Sequence, residues 1–293
     1  MGQFRAWLMA AAVALAGCQT TAVDPTPQMA AQVTQAIRAQ QPPPVLSRQF
    51  GGQLTEQRAY RVQRLGVETL LAGRAPGGFK AGLTTAAGQR AYATDKPLAG
   101  VLPSDAELKP IPDEGYHIQL SNFRKPLLEA EIGYRFKHRI DAPLADVAAL
   151  KAAVAEVVPV IEIADLGFAS GAVASGAVGK PGAPTVLDII ATNAGARRVI
   201  AGHGRAHEFN DPNAVAVEMF RDGEPQTRGR GSDALGDQWQ ALLWLVNRTV
   251  ESGWIIFPGH LVITGTLGAQ VAPQPGLYVA DFGELGRLEW WVE

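Results

Sequence analysis

Two glutamates stand two residues apart inside an apolar run, Leu128-Glu129-Ala130-Glu131-Ile132, and a third, Glu162, sits in a similar run, Pro159-Val-Ile-Glu-Ile163. Both runs read as β-strands, where residues i and i+2 share a face, so Glu129 and Glu131 point the same way. Carboxylates held together repel one another and are costly to take out of water. Two arrangements satisfy the pair: a solvated strand edge, or a site where a cation or a shared proton relieves the charge. With a third acid in an apolar run, a hard divalent cation is the simplest relief.

The rest of the composition sets limits. A chain of 293 residues buries a substantial core, as one large domain or as one domain with a small appendage. The net charge is −2 and there is no long basic run, which speaks against a nucleic-acid partner. Thirty-two glycines and 20 prolines point to many turns and short strands rather than a helical bundle.

The first segment reads as separate from the fold. Met1–Arg5 carries one basic side chain, and Ala6–Ala16 is apolar and alanine-rich, about half the length that spans a bilayer. It ends Leu15-Ala16-Gly17-Cys18, which resembles the lipobox of bacterial lipoprotein signal peptides; an ordinary secretory signal or a chance apolar terminus are the other readings. The resemblance implies a signal peptide over residues 1–18, lipidation of Cys18, and an extracytoplasmic protein attached to a membrane by its lipid. Gln19 after the cysteine points to the outer membrane. Cys18 is the only cysteine, so the body holds no internal disulfide and no thiolate metal site. Residues 19–48, rich in Thr, Gln, Ala and Pro, are expected to be a tether with one short helix near Met29–Gln40, and residues 49–293 to be the catalytic domain.

In the body, apolar spacing predicts helices over 50–72, 145–157 and 239–250. Strands are expected at 77–84, 116–120, 127–136, 160–163, 198–201, 214–221, 260–264, 276–282 and 288–292, with a hairpin turn at Asp222-Gly223. This is an α+β domain dominated by antiparallel or mixed sheet, with two or three helices outside it. His203 and His207 are four apart, but the glycine between them argues against a helix-borne metal pair. Trp290-Trp291 reads as core or as a contact in a homo-oligomer.

Taken alone, Lys80 could be a solvated lysine in a glycine-rich turn, and Thr264-Gly265-Thr266-Leu267 a tight turn between strands. Together with the acids, however, five motifs run in order: Lys80-Ala-Gly-Leu-Thr84, Leu128–Ile132, Pro159–Ile163, Arg228-Gly-Arg-Gly-Ser232 and Val262-Ile-Thr-Gly-Thr-Leu-Gly268. In order and spacing they resemble the 2-keto-4-pentenoate hydratase branch of the fumarylacetoacetate hydrolase superfamily, a pattern shared by 4-oxalocrotonate decarboxylases, from about residue 50 to the C-terminus. The resemblance implies a mixed β-roll or β-sandwich with peripheral helices, and Mg²⁺ or Mn²⁺ on Glu129, Glu131 and Glu162. It implies Lys80 as the active-site lysine, and a pocket for a small 2-oxo acid lined by Leu83, Thr264, Gly265, Thr266 and Leu267. The chain departs from the pattern at three places: Leu98 stands where hydratases carry an acid/base aspartate, Gly195 replaces a serine, and the arginine that often follows the third acid's strand is missing from Ile163–Gly167. A leucine moves no proton. The expected activity is therefore a metal-dependent hydratase or decarboxylase, with a lipid-anchored 2-oxo-acid binding protein that has lost turnover as the alternative.

Overall fold

A computed structural model describes residues 23–168, 183–206 and 211–293, so the expected signal segment with Cys18, residues 19–22 and His207 lie outside the described residues. The helices are α1 (Thr26–Arg38), α2 (Leu46–Phe50), α3 (Glu56–Leu71), α4 (Ala86–Ala91), α5 (Val147–Ala153), α6 (Val186–Ala191) and α7 (Gln238–Glu251). The early strands are β1 (Gly78–Gly82), β2 (Leu98–Leu102), β3 (Tyr116–Ile118), β4 (Pro126–Phe136), β5 (Val154–Asp165), β6 (Arg198–Ala201) and β7 (Arg205–Ala206). β8 (Ala216–Arg221), β9 (Glu224–Arg230), β10 (Leu261–Ile263), β11 (Gly276–Asp281) and β12 (Arg287–Val292) complete the set.

Two mixed sheets result. One runs β2-β1-β10-β4-β5-β6, with β7 also paired to β5; the other runs β3-β12-β11-β8-β9. Only β1–β10 and β12–β3 are parallel among the named pairs. The architecture is the expected α+β arrangement dominated by mixed sheet. It carries seven α-helices among the described residues rather than two or three.

Alternation places the core. Along β4 the residues between the acids, Leu128, Ala130, Ile132 and Tyr134, are buried on the opposite face from Glu129 and Glu131. They pack into one cluster with Leu242, Leu245 and Val246 of α7 and with Met219, Tyr278 and Trp290 of the second sheet. The acid-bearing face of the first sheet is thus turned away from the main core.

Local backbone signals set the ends of these elements. Thr55 caps α3 by accepting from the Arg58 backbone N–H, and Ala72 closes that helix in the left-handed region. Asp222 and Gly223 both have positive φ and join β8 to β9, the backbone a tight hairpin demands. Trp290 is buried and stacks on Tyr278, while Trp291 is exposed.

Two expectations need correction. The stretch read as a tether is largely folded: α1 buries Met29, Ala30 and Val33 in a second cluster with Ala59 and Val62 of α3 and with Leu46. Its apolar residues fall on one helical stripe, which outweighs the polar composition around them. The helix expected over 145–157 stops at Ala153, and Val154 begins β5; the β-branched run Val154, Val157, Val158 and Val160 favours extended backbone.

Candidate metal centre

The register of the β4–β5 pair builds the site. Glu129 lies directly opposite Glu162, and Glu131 opposite Val160, so three carboxylates share one patch of one face. Lys80 enters from β1, where it pairs with Gly100 of β2 and Ile263 of β10. β1 is three strand steps from β5, about 14 Å in a flat sheet. Yet Lys80 Nζ lies 2.7 Å from Glu162 Oε1. The sheet must therefore curl tightly, and its concave side holds the three acids and the lysine.

All four groups are withdrawn from water. Glu131 and Glu162 are fully buried, Lys80 is 2% exposed and Glu129 6%. One oxygen from each acid lies within 4.8 Å of the others. Burial drives the Glu131 carboxyl well above its usual range, and the charges of Glu162 and Glu129 push it further. Burial also lifts Glu162 to about 7, even though the Lys80 ammonium pulls it down. Burial depresses Lys80 itself, but the surrounding carboxylates outweigh that and leave it raised and charged. One ammonium does not compensate three carboxylates, so at neutral pH the cluster must hold a proton or a cation.

The hydrogen bonds around the acids come from one turn. Gly265 N–H donates to Glu131 Oε2 at 2.7 Å, and the Thr266 hydroxyl donates to Glu129 Oε2. Gln270 Nε2 donates to Glu129 Oε1 at 2.7 Å, and Lys80 also reaches the Ala194 carbonyl at 3.2 Å. Gly265 has φ +106, and a Cβ there would stand 2.0 Å from Thr84 Oγ1, so only glycine lets the turn approach this closely. Glu131 Oε1 has no partner among the described residues. An orphaned, buried carboxylate oxygen among three oxygen donors fits a hard divalent cation, which takes carboxylates and leaves positions for other oxygens.

The other anticipated pocket residues are distributed differently. Leu83 follows β1 at φ +53, a strained position for a leucine, and is half-buried. Thr264 is fully buried, but its hydroxyl faces Gln238 Oε1 and the Ile132 carbonyl rather than the acids. Leu267 lies in the main core and donates its N–H to the Ala130 carbonyl. Leu98 is buried on β2 opposite Gly82, and Gly195 sits at φ +67 beside the Ala194 carbonyl that receives Lys80. His203 is exposed, and His260 packs between the rings of Phe79 and Phe257. Gln270 and the Ala194 carbonyl carry no sequence signal, because each meets the site only through contacts far apart in the chain.

No protein-family model matches the sequence. The sequence is 30% identical over 223 residues to the TodF product hydratase of Pseudomonas putida (strain F1), spanning 75% of this chain and 77% of the relative. The chain belongs to the hydratase–decarboxylase branch of the fumarylacetoacetate hydrolase superfamily. This branch of lyases also supplies a 4-oxalocrotonate decarboxylase of Pseudomonas putida, 29% identical over 200 residues, with 68% of this chain and 70% of the relative aligned. The fold of the branch is seen in 4-oxalocrotonate decarboxylase from Pseudomonas putida G7, complexed with magnesium and adipate. That structure superposes with a TM-score of 0.79 over 92% of this chain and 97% of its own, at 24% identity.

Proposed function

We propose that this protein is a lyase, dependent on Mg²⁺ or Mn²⁺, that acts on a small 2-oxo acid or its 2-hydroxydienoate form. The observation that carries the proposal is the buried trio Glu129, Glu131 and Glu162, with Glu131 Oε1 and Glu162 Oε2 both without a hydrogen bond among the described residues and one lysine alongside. Glu129, Glu131 and Glu162 would hold the ion. When bound, such an ion polarises the carboxylate and keto oxygens of a 2-oxo acid and stabilises the negative charge that develops beside them.

The chain's own residues divide the remaining work. The Lys80 ammonium, held at 2.6–2.7 Å by both oxygens of Glu162, is the cationic side chain at the cluster and is suited to bind a substrate carboxylate or to return a proton to carbon. Gly265 N–H and the Thr266 hydroxyl orient the acids. Leu98 and Gly195 contribute no titratable group. Hydration needs both a proton donor and a group that activates water, whereas decarboxylation needs an electron sink and then a single proton. The apolar Leu98 therefore favours decarboxylation within the proposed class. It also motivates the second reading, a binding protein that retains the pocket without turnover.

The lipobox-like ending at Cys18 supports a further part of the proposal, that the enzyme acts outside the cytoplasm on a lipid anchor. For the activity, the decisive experiment pairs Mn²⁺ titration by calorimetry with a spectrophotometric screen of 2-hydroxydienoates and 2-oxo acids. Stoichiometric Mn²⁺ binding and metal-dependent turnover are expected, with both lost in Glu129→Gln. Absence of Mg²⁺ and Mn²⁺ binding would sink the metal reading. Binding of oxalate or pyruvate with no turnover of any substrate would favour the binding protein.

A further inference from the structure

Behind the curled sheet, on the face opposite the acids, a single glutamine is buried among polar partners. Gln238, the first residue of α7, is fully buried. Its Nε2 donates to the Gly231 carbonyl at 2.7 Å. A carbonyl can only accept, so the amide orientation is fixed and Oε1 must face the other way. There it accepts from the Thr264 hydroxyl at 2.6 Å and from the Tyr134 hydroxyl at 3.0 Å. The Gln238 backbone N–H is itself tied to Asn213 Oδ1 at 2.7 Å. Tyr134 belongs to β4, but its odd separation from Glu131 puts it on the core face, where it packs against Trp239.

A buried amide hydrogen-bonded at both ends offsets its loss of water and holds its partners in one arrangement. What it aligns is the residue before the turn. Thr264 is followed by Gly265 and Thr266, the two donors to Glu131 and Glu129. The far side of the turn is clamped as well: Gly268 N–H donates to Asp233 Oδ2 at 2.9 Å. Gly229 of β9 approaches so closely that a Cβ there would lie 2.3 Å from Gly268 N. The Arg228-Gly-Arg-Gly-Ser232 motif thus serves as the wall against which the 264–268 turn is set. Gln238, through the Gly231 carbonyl, connects that wall to the turn.

We propose that Gln238 is a positioning residue for the metal centre: acting through Thr264, it fixes the Gly265 N–H and Thr266 hydroxyl and thereby the stance of the Glu131 and Glu129 carboxylates. The part that concerns metal rests on the proposed function; the part that concerns the turn does not. Partners of ligands, rather than the ligands themselves, commonly change metal affinity or activity 10- to 100-fold when removed.

The test uses the full chain with Gln238→Leu and Thr264→Val, singly and together, and Thr264→Ser, which retains the hydroxyl. Two quantities are read: hydrogen exchange of the Gly265 amide by NMR without metal, and Mn²⁺ affinity by calorimetry. Gln238→Leu and Thr264→Val should each accelerate Gly265 exchange by about tenfold or more and weaken Mn²⁺ binding by about 10- to 100-fold. The double variant should be no worse than the poorer single, because the two groups act as one unit, and Thr264→Ser should stay near wild type. A role confined to packing would lower the melting temperature and accelerate Gly265 exchange no more than that of buried amides elsewhere in the sheet, such as Ile161; that result in folded Gln238→Leu or Thr264→Val overturns the proposal. Losses that multiply in the double variant overturn it too. Should Gln238→Leu not fold, the Thr264→Val and Thr264→Ser pair decides. Should wild type bind no Mn²⁺, the metal reading falls while Gly265 exchange still decides whether Gln238 positions the turn.

Discussion

Glu131 has the least relief of any group in the cluster: one oxygen takes the Gly265 N–H and the other takes nothing among the described residues. Burial and its two acidic neighbours raise its carboxyl well above the usual range, and burial raises Glu162 to about 7. The folded, metal-free protein therefore retains protons that the unfolded chain releases. The sign follows: a carboxyl raised on folding stabilises the fold below its ordinary range, and that contribution is lost as pH climbs through the folded value. Metal-free protein should melt progressively lower as pH rises through about 7, and Mn²⁺ should reverse the trend. Glu131→Gln keeps the neutral shape of the protonated acid, so its metal-free melting temperature should equal or exceed wild type at alkaline pH while Mn²⁺ protection disappears. Thermal melts across pH, with and without Mn²⁺, check both. At this scale the pairing of Glu129 and Glu131 was legible in the sequence, because a period of two inside an apolar run fixes which side chains share a face; Glu162 was marked only by its own apolar run, and Lys80 only by the family resemblance. Gln270 and Gln238 were not marked at all, since a lone polar residue gains its meaning from a partner that only the tertiary fold supplies.

At the scale of elements, α1 shows how composition can mislead. Thr, Gln, Ala and Pro suggested a tether, yet Met29, Ala30 and Val33 form one buried stripe while glutamines such as Gln28 and Gln35 stay on other faces. Met29 is completely buried, so Met29→Ala should cost about 2–5 kcal/mol, read as a shift in the urea unfolding midpoint. A true tether would give almost no shift. Similar reasons explain what else went unread. β2 is a five-residue strand, Leu98-Ala-Gly-Val-Leu102, whose glycine weakens the strand signal. β9 is a polar edge strand, mostly exposed, so no apolar alternation marks it. The long strand β4 and the amphipathic helices α3 and α7 were legible because their periodicity runs over more than two turns or several strand pairs, whereas β5 was legible only over residues 160–163, its first residues having been read as helix.

Across the whole molecule, two sheets share one core, and the reactive groups occupy the opposite, concave side of the larger sheet. The docking of α1 has a consequence for how such a body could sit on a membrane. If Cys18 carries lipid as proposed, no more than residues 19–25 separate it from α1, which begins at Thr26. Asp24, moreover, already lies 3.7 Å from Arg58 of α3. Seven residues reach at most about 25 Å when fully extended, whereas a loose segment through residue 48 would reach about 100 Å. A donor dye on Asp24→Cys should transfer energy strongly to acceptors at the surface of vesicles carrying the lipidated protein, and ten inserted Gly-Ser residues should weaken that transfer. Equal transfer with and without the insertion would contradict the short leash. On such a leash the enzyme would be moored rather than adrift: its stand-off from the bilayer would have a ceiling, and the face around the start of α1 would become its underside.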